Sequence, residues 1–318
     1  DLCAAFYEKE EKEEKKGRCF LMQLALFIQS VINGLNQGAI YALIALGYTM
    51  VYGIIRMINF AHGDFIMVGA YTLFYTIPLM INAGMPAWLA VIAAVVVCVV
   101  VGITVEIVAY RPVRGQGSMT ALITALAMSL FLENLAMVLF GANPKSVTAV
   151  FNLPTVTFLG ATLQTKYLLT FGIGAFMMVA LQLFVKKTKM GKAMRAVPQD
   201  KEASTLMGIN VNKIITTTFA IGSGLAAVAA LMYCSTYPRC TTDMGSMMGL
   251  KAFIAAVLGG IGSIPGAMVG GLVVGLVEIF VKVYIAPGWY EAITYGLLIV
   301  VLLVKPSGIL GKNVGEKV

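Results

Sequence analysis

Residues 65–105 read FIMVGAYTLFYTIPLMINAGMPAWLAVIAAVVVCVVVGITV, an interval that contains no Asp, Glu, Lys or Arg. A helix needs roughly 20 predominantly apolar residues to cross the hydrocarbon core of a bilayer, so this interval is long enough for two crossings. The turn sequence NAGMP at residues 82–86 lies between them, where asparagine, glycine and proline favour a break. The stretch therefore predicts a pair of membrane-spanning helices.

The same pattern extends over the rest of the chain. Of the 318 residues, 59% are hydrophobic and 12% are charged, whereas a soluble domain carries about 25% charged residues. The mean hydropathy is +0.87. We therefore predict an all-α, polytopic transmembrane helical bundle with about 8 or 9 crossings and glycine-broken segments. The other charge-free intervals are Met22–Ile55, Gly115–Leu132, Tyr167–Val185, Ile214–Pro238 and Ala252–Val277.

Apolar runs and turn residues set the expected helix bounds. Two intervals are longer than one span, and each is expected to contain a half-helix or a break. Residues 1–21 form a polar tail that carries the run EKEEKEEKK, to which we assign no function, and residues 22–318 form one transmembrane domain. The expected helices are 24–54, 65–82, 87–110, 118–140, 167–186, 214–236, 250–285 and 290–304.

Composition also argues against several site types. The five cysteines are scattered without a paired spacing, so the sequence predicts neither a disulfide framework nor a metal site. A single histidine, His62, argues against a metal centre that needs two imidazoles. The net charge of +8 is better explained by basic cytoplasmic loops than by nucleic-acid binding.

Basic residues predict the orientation. The connection 187–213 with its flank at Lys186 carries seven Lys or Arg against Asp200 and Glu202, so we place it in the cytoplasm. Counting spans backwards puts Arg111 and Arg114 on the same side and the 141–165 connection outside. Lys305, Lys312 and Lys317 favour an inside C-terminus, which requires 250–285 to be two crossings bent at its glycines.

The first motif is MINFAHGD at residues 57–64, directly before an uncharged span. It brings Asn59, His62, Gly63 and Asp64 to the start of a helix. Polar groups at membrane depth are costly unless they face a cavity or a partner, so these residues are candidates for a translocation pathway or gate. The alternative is that Asp64 only caps the helix, since a carboxylate is favourable at a helix N-terminus.

The second motif is LGGIGSIPG at residues 258–266. Glycines at four-residue spacing let helices approach closely, and plain helix packing is the expected role of Gly270, Gly271 and Gly275. Gly259, Gly260 and Gly262 interrupt a span instead, and a glycine-broken span points to the pathway of a transporter. We therefore add these three glycines to the gate candidates.

The third motif is the connection 187–213. Asp200 follows Pro198 where a helix is expected to start, and Gly208 marks its stop. A structured loop of this length usually binds a partner, although contact with anionic lipid is an alternative interpretation. Among the in-span charges, Glu106 and Lys282 are expected to snorkel, Glu278 to pair with Lys282, and Glu133 to hydrogen-bond within the bundle.

Together these stretches resemble the H-type permease subunit of branched-chain amino-acid ABC importers. The resemblance covers nearly everything from about residue 24 to residue 312. Its most recognisable pieces, in order, are YTMVYGII (48–55), INFAHG (58–63), AYRPVR (109–114), KAFIAAVLGGIGSIPGA (251–267) and KPSGILGK (305–312).

The resemblance implies a division of labour in a bacterial plasma (inner) membrane. An external binding protein delivers leucine, isoleucine or valine, a second related permease pairs with this chain, and two cytoplasmic ATPases drive transport. The segment EASTLMG at residues 202–208 resembles the Glu-Ala-Ala-three-Gly pattern by which importer permeases dock on ATPases, with Ser204 in place of the second Ala. Residues assigned to this coupling are Gly191, Arg195, Glu202, Ala203 and Gly208.

The sequence has no Gly-x-x-x-x-Gly-Lys-Ser/Thr phosphate loop, so ATP is expected to be used by the partner subunits, and no cofactor is expected on this chain. An enzymatic role is not expected. Family resemblance does not fix the cargo. Urea or short-chain amides are alternative cargoes, and a secondary transporter is a further alternative.

Overall fold

The computed structural model describes residues 2–148, 150, 154–158, 161–305 and 307–311. Lys312 and Lys317, used above for the orientation, lie outside these residues. The helices are α1 (Leu2–Ile55), α2 (Asp64–Asn82), α3 (Leu89–Val105), α4 (Arg111–Val113), α5 (Ser118–Phe140), α6 (Thr165–Lys187), α7 (Lys189–Ala196), α8 (Lys201–Leu206), α9 (Val211–Thr236), α10 (Met244–Gly259), α11 (Ile264–Phe280) and α12 (Tyr290–Val304).

Short non-α segments complete the description. A 3₁₀ turn covers Phe60–His62, and π-helical segments cover Glu106–Tyr110 and Val281–Ile285. Strands β1 (Lys145–Ser146) and β4 (Arg239–Cys240) pair antiparallel, as do β2 (Thr155–Phe158) and β3 (Ala161–Gln164). Within the described residues, seven helices are long and apolar enough to cross a membrane, and α10 and α12 are shorter apolar helices. The predicted fold class, a polytopic helical bundle, is confirmed.

Helix α1 lies at the centre of the bundle. Its membrane-length part is mostly buried, and it packs on α6, α9, α10 and α11. The expected break within 24–54 is wrong, because α1 runs unbroken to Ile55. The glycines of this interval serve close packing: a Cβ on Gly34 or Gly38 would overlap α11, and one on Gly47 would overlap His62.

The predicted break at the glycines of 250–285 is present, although only α11 with its π-helical extension is long enough for a crossing and α10 is a shorter apolar helix. Helices α10 and α11 form an antiparallel pair, since Gly259 lies against Gly266 and Gly270 lies against Ala255. Both Gly260 and Gly262 have positive φ angles, 102° and 92°, which L-residues rarely adopt. The glycines therefore form the turn between the two helices.

One end of the bundle collects the basic segments. Arg114 donates a 2.8 Å hydrogen bond to Asn212 at the start of α9, and the end of α1 reaches the turn at Gly262. The backbone N–H of Ile309, after α12, donates to Leu258 O at 2.8 Å. The paired strands β1 and β4 lie at the opposite end, where α9 finishes. Because these basic segments share one end, which we call the basic end, the structure agrees with the predicted loop grouping.

Candidate translocation site and coupling surface

The break between α1 and α2 forms a buried polar cluster, defined here as Asn59, His62 and Asp64. Helix α1 ends at Ile55, and Arg56 takes a positive φ of 57°, which turns the chain back toward the bundle. The side chains of all three cluster residues are buried. The structure therefore brings together the polar residues that the sequence singled out.

His62 lies well inside the bundle. Its ring packs edge-on against Tyr48, with 4.7 Å between centroids, and against Phe65 at 5.8 Å. It also lies against Gly47, which precedes the end of α1 by about 12 Å at 1.5 Å per residue. Within the described residues neither ring nitrogen has a hydrogen-bond partner. The imidazole is thus a polar group held at depth among aromatic rings.

Asp64 lies beside the N-terminus of α10. A Cβ on Gly245 would overlap the Asp64 carboxylate. A Cβ on Gly63 would likewise overlap the backbone of Gly245 and Gly249. Both carboxylate oxygens lack a hydrogen-bond partner in the described part of the chain, and Asp64 makes no capping hydrogen bond to α2. Asp64 thus lies at two helix N-termini, those of α2 and α10, where helix dipoles favour a carboxylate.

A tyrosine that the sequence did not indicate, Tyr110, holds Asn59 but is not part of the polar cluster. The Tyr110 hydroxyl donates a 2.6 Å hydrogen bond to Asn59 Oδ1, and both side chains are buried. Tyr110 closes the π-helical segment after α3. The motif AYRPVR at residues 109–114 contains Tyr110. The contact of Tyr110 with Asn59 is seen only in the folded chain.

An apolar groove of about 370 Å³ runs along α2, beginning at Met67 and Val68, about one helical turn from Asp64. It lies between α2, α3 and α5, and Val68 and Tyr71 line it one and two turns beyond Asp64. Tyr71 and Thr72 are among the few residues of the groove that carry a hydroxyl group. The remaining lining is mainly aliphatic and aromatic: Met67, Val97, Val101, Leu132, Leu135, Ala136, Leu139 and Phe140, with Tyr75 and Thr76.

The glycine break lies apart from the polar cluster. Helix α10 separates Gly245, beside Asp64, from Gly259 by about 21 Å at 1.5 Å per residue. Gly260 packs against the backbone of residues 307–311, whereas the Cβ position of Gly262 is open. The structure thus places the gate candidates in two groups, one deep in the bundle and one at the basic end.

Four of the five predicted coupling residues lie in the short helices α7 and α8 at the basic end, and the fifth, Gly208, follows α8. In α7 the Gly191 N–H donates to Thr188 Oγ1 at 2.9 Å, and a Cβ at Gly191 would overlap the end of α6. In α8 the Ala203 N–H donates to Asp200 Oδ1 at 2.9 Å, so Asp200 caps the helix at its predicted start. Arg195 is exposed and its guanidinium donates to Lys186 O at 3.4 Å.

Helix α8 projects from the bundle. Glu202 and Ala203 are exposed, and Gly208 ends the segment with a φ of 80°. Leu206 and Met207 are 89% and 82% exposed. These residues, Glu202–Gly208, are called the docking surface below. Ser204 is the exception, because it is buried and its hydroxyl donates to Asp200 O at 2.6 Å.

The in-span charges differ in part from expectation. Glu278 pairs with Lys282 as predicted, but Lys251 and the Tyr41 hydroxyl also donate to it, at 3.0 and 2.6 Å. The expectation that Glu106 snorkels is wrong, because its carboxylate is buried and bound by arginines that follow it in the sequence. No hydrogen bond of Glu133 is found among the described residues.

Comparison with protein families gives a match over residues 30–303 to the branched-chain amino acid transport system permease component family. The chain is 42% identical over 305 residues to the high-affinity branched-chain amino acid transport system permease protein LivH of Escherichia coli K12, covering 93% of this chain and 99% of the relative. It is 42% identical over 301 residues to the corresponding protein BraD of Pseudomonas aeruginosa, covering 92% and 98%.

These relatives are named as transport permeases, which fits a non-enzymatic role. The match and the identities extend over nearly the whole chain. Together with the multi-pass helical fold they confirm the resemblance seen in the sequence motifs. The chain belongs to the family of branched-chain amino acid transport system permease components.

Proposed function

We propose that this chain is the permease subunit of an ATP-driven importer that moves leucine, isoleucine and valine across a bacterial plasma membrane. An external binding protein delivers the amino acid, and a second related permease completes the pathway. Two cytoplasmic ATPases supply the free energy, and this chain binds no cofactor. The observation that carries the proposal is the docking surface, which presents exposed apolar side chains at the basic end.

Exposure of Leu206 and Met207 indicates a protein partner. Large apolar side chains that project into water from a short polar helix are costly to leave uncovered. The loop around them is polar and basic, so a position in aqueous solution suits the segment better than burial in lipid. An ATPase that covers both side chains and contacts Glu202 would hold α8 as a lever.

Orientation follows from charge. The basic end carries Arg56, Arg114 and the lysines of 187–213, and basic residues favour the cytoplasmic side. The docking surface is then on the side where ATP is available. A soluble ATPase in the cytoplasm could therefore bind the docking surface directly.

The polar cluster and the apolar groove form the proposed pathway. A branched aliphatic side chain suits the lining around Val68 and Leu132, whereas urea has no apolar part to bury there. Asn59, His62 and Asp64 supply polar groups for the charged end of an amino acid. The turn at Gly259–Gly262 remains a gate candidate at the cytoplasmic end. Substrate must bind the two states of the transporter differently for uptake to be coupled.

Charge reversal of Glu202 tests the proposal. In the four-subunit complex reconstituted in proteoliposomes, Glu202→Lys is expected to abolish ATP-dependent leucine uptake and retention of the ATPases during purification. Arg239→Glu, an exposed charge reversal at the opposite end, is expected to retain the ATPases. Uptake driven by an ion gradient without ATP would support a secondary transporter instead, and uptake of urea but not leucine would contradict the assigned cargo.

A further inference from the structure

The Glu106 carboxylate joins three segments at the basic end. It accepts hydrogen bonds from Arg114 at 2.5 Å, from Arg111 at 2.8 Å and from Thr216 at 2.8 Å. Its side chain is fully buried. A buried carboxylate needs such partners, because an unpaired buried charge is strongly unfavourable. The Glu106 cluster, defined as Glu106, Arg111, Arg114 and Thr216, therefore links these segments through one buried carboxylate.

The Glu106 cluster is connected to the docking surface through the start of α9. Thr216 lies in the second turn of α9, and Arg114 also donates to Asn212 in the first turn at 2.8 Å. Helix α9 is capped by Asn210, whose Oδ1 accepts from Lys213 N at 3.1 Å. Since Asn210 follows Gly208 by two residues, a displacement of α8 pulls directly on the start of α9.

The Glu106 cluster also leads to the polar cluster. Glu106 begins the π-helical segment that ends at Tyr110, and the Tyr110 hydroxyl holds Asn59 at 2.6 Å. A π-helical turn is a local irregularity that is frequent at functional sites. Asn59 directly precedes the 3₁₀ turn that carries His62, so the contact fixes the start of that turn.

We propose that Glu106 and Tyr110 are positioning residues that transmit displacement of the docking surface to Asn59, and through it to the turn that holds His62 and Asp64. The inference rests on the proposed function, because it needs an ATPase to move α8. It adds a physical route between the docking surface and the pathway, in which side-chain hydrogen bonds at Glu106 and Tyr110 alternate with the backbone of residues 208–216 and of the π-helical segment. Neither residue is required to touch substrate or ATPase.

The test is Tyr110→Phe in the complete complex, with uptake and ATP hydrolysis measured on the same proteoliposomes. Removal of the hydroxyl leaves Asn59 Oδ1 buried without its donor. We expect leucine transported per ATP hydrolysed to fall roughly tenfold, while subunit composition and basal ATP hydrolysis stay unchanged. Tyr295→Phe on α12, outside this route, is the matched control and is expected to keep the wild-type ratio.

A second variant avoids the buried site in case Tyr110→Phe fails to fold. Asn212 is exposed, so Asn212→Ala removes its bond to Arg114 without opening the interior, and a smaller fall in the same ratio is expected. A purely structural role would reduce the amount of complex but not the ratio. An unchanged ratio in both variants overturns the inference. If Glu202→Lys still abolishes uptake in that case, the proposed function stands and only the transmission route is wrong.

Discussion

Lys251 in α10 and Glu278 in α11 form a buried ion pair, with 3.0 Å between Nζ and Oε1. Lys282 donates to the same carboxylate oxygen, and both lysine ammonium groups lie over the ring of Tyr290, at 4.6 and 4.0 Å from its centroid. One carboxylate therefore holds two cations, and the aromatic face of α12 shares their stabilisation. This arrangement ties α10, whose N-terminus contacts Asp64, to α11 and α12.

Neutralising Glu278 is expected to destabilise the bundle. Glu278→Gln leaves the buried Lys251 without its counter-charge, and removing one partner of a buried pair costs about 3–5 kcal/mol. Lys282→Gln is expected to cost much less, because that side chain is 34% exposed and Lys251 still neutralises the carboxylate. Thermal unfolding of the detergent-solubilised protein compares the two variants. Equal losses would contradict the assignment of Glu278 as the centre of this network.

A bulky residue at Gly271 is expected to separate α1 from α11. The Cβ position of Gly271 is filled by the backbone and side chain of Ala42, and overpacking a close interface typically costs about 1–3 kcal/mol. Gly271→Val should therefore reduce the yield of folded protein. Gly172→Val is the matched control, because nothing lies within 4 Å of its Cβ position. A similar yield for both variants would contradict the role of Gly271 in close packing.

Substitutions at Gly208 are expected to follow backbone preference. The Cβ position is open, so the cost arises from the φ of 80° alone. Asparagine tolerates this conformation best, alanine loses about 1 kcal/mol, and a β-branched residue loses more. We expect ATPase retention and uptake to fall in the order Gly208→Asn, Gly208→Ala, Gly208→Val. An order that follows side-chain volume instead, with Gly208→Ala retaining more uptake than Gly208→Asn, would point to direct contact with the partner.

Polar replacement of the exposed apolar pair is expected to weaken docking without unfolding the chain. Leu206→Ser with Met207→Ser removes two side chains that make little contact within this chain. The thermal stability of the isolated permease should stay within about 0.5 kcal/mol of wild type. Binding of the purified ATPase should weaken, as measured by its retention on immobilised permease. Unchanged retention would exclude these side chains from the interface.

Local signals predicted much of this fold. Charge-free intervals located the spans, and the turn chemistry at residues 82–86 and at Gly260–Gly262 located two of the breaks. Asp200 and Gly208 marked the two ends of α8, because capping and positive φ are properties of single residues. The predicted break in α1 was wrong because it rested on the length of the interval alone. The glycines of α1 allow close contact with other segments and do not interrupt the helix.

Contacts between distant segments could not be predicted in this way. Glu106 lies near a span end, where snorkelling is a reasonable expectation, but the π-helical segment after it turns Arg111 and Arg114 back toward its carboxylate. The bond from Tyr110 to Asn59 joins residues 51 positions apart. Such pairs depend on how the helices pack, and no local pattern in a single sequence predicts them.

The most direct test of the account is the location of α8 relative to the membrane. Thr205 is exposed within α8, and Thr205→Cys can be introduced after the five native cysteines are replaced by serine. We expect a membrane-impermeant maleimide to label this cysteine in inside-out vesicles but not in intact cells, and we expect bound ATPase to protect it. Labelling from outside intact cells would contradict the account, because no cytoplasmic ATPase could then reach the docking surface.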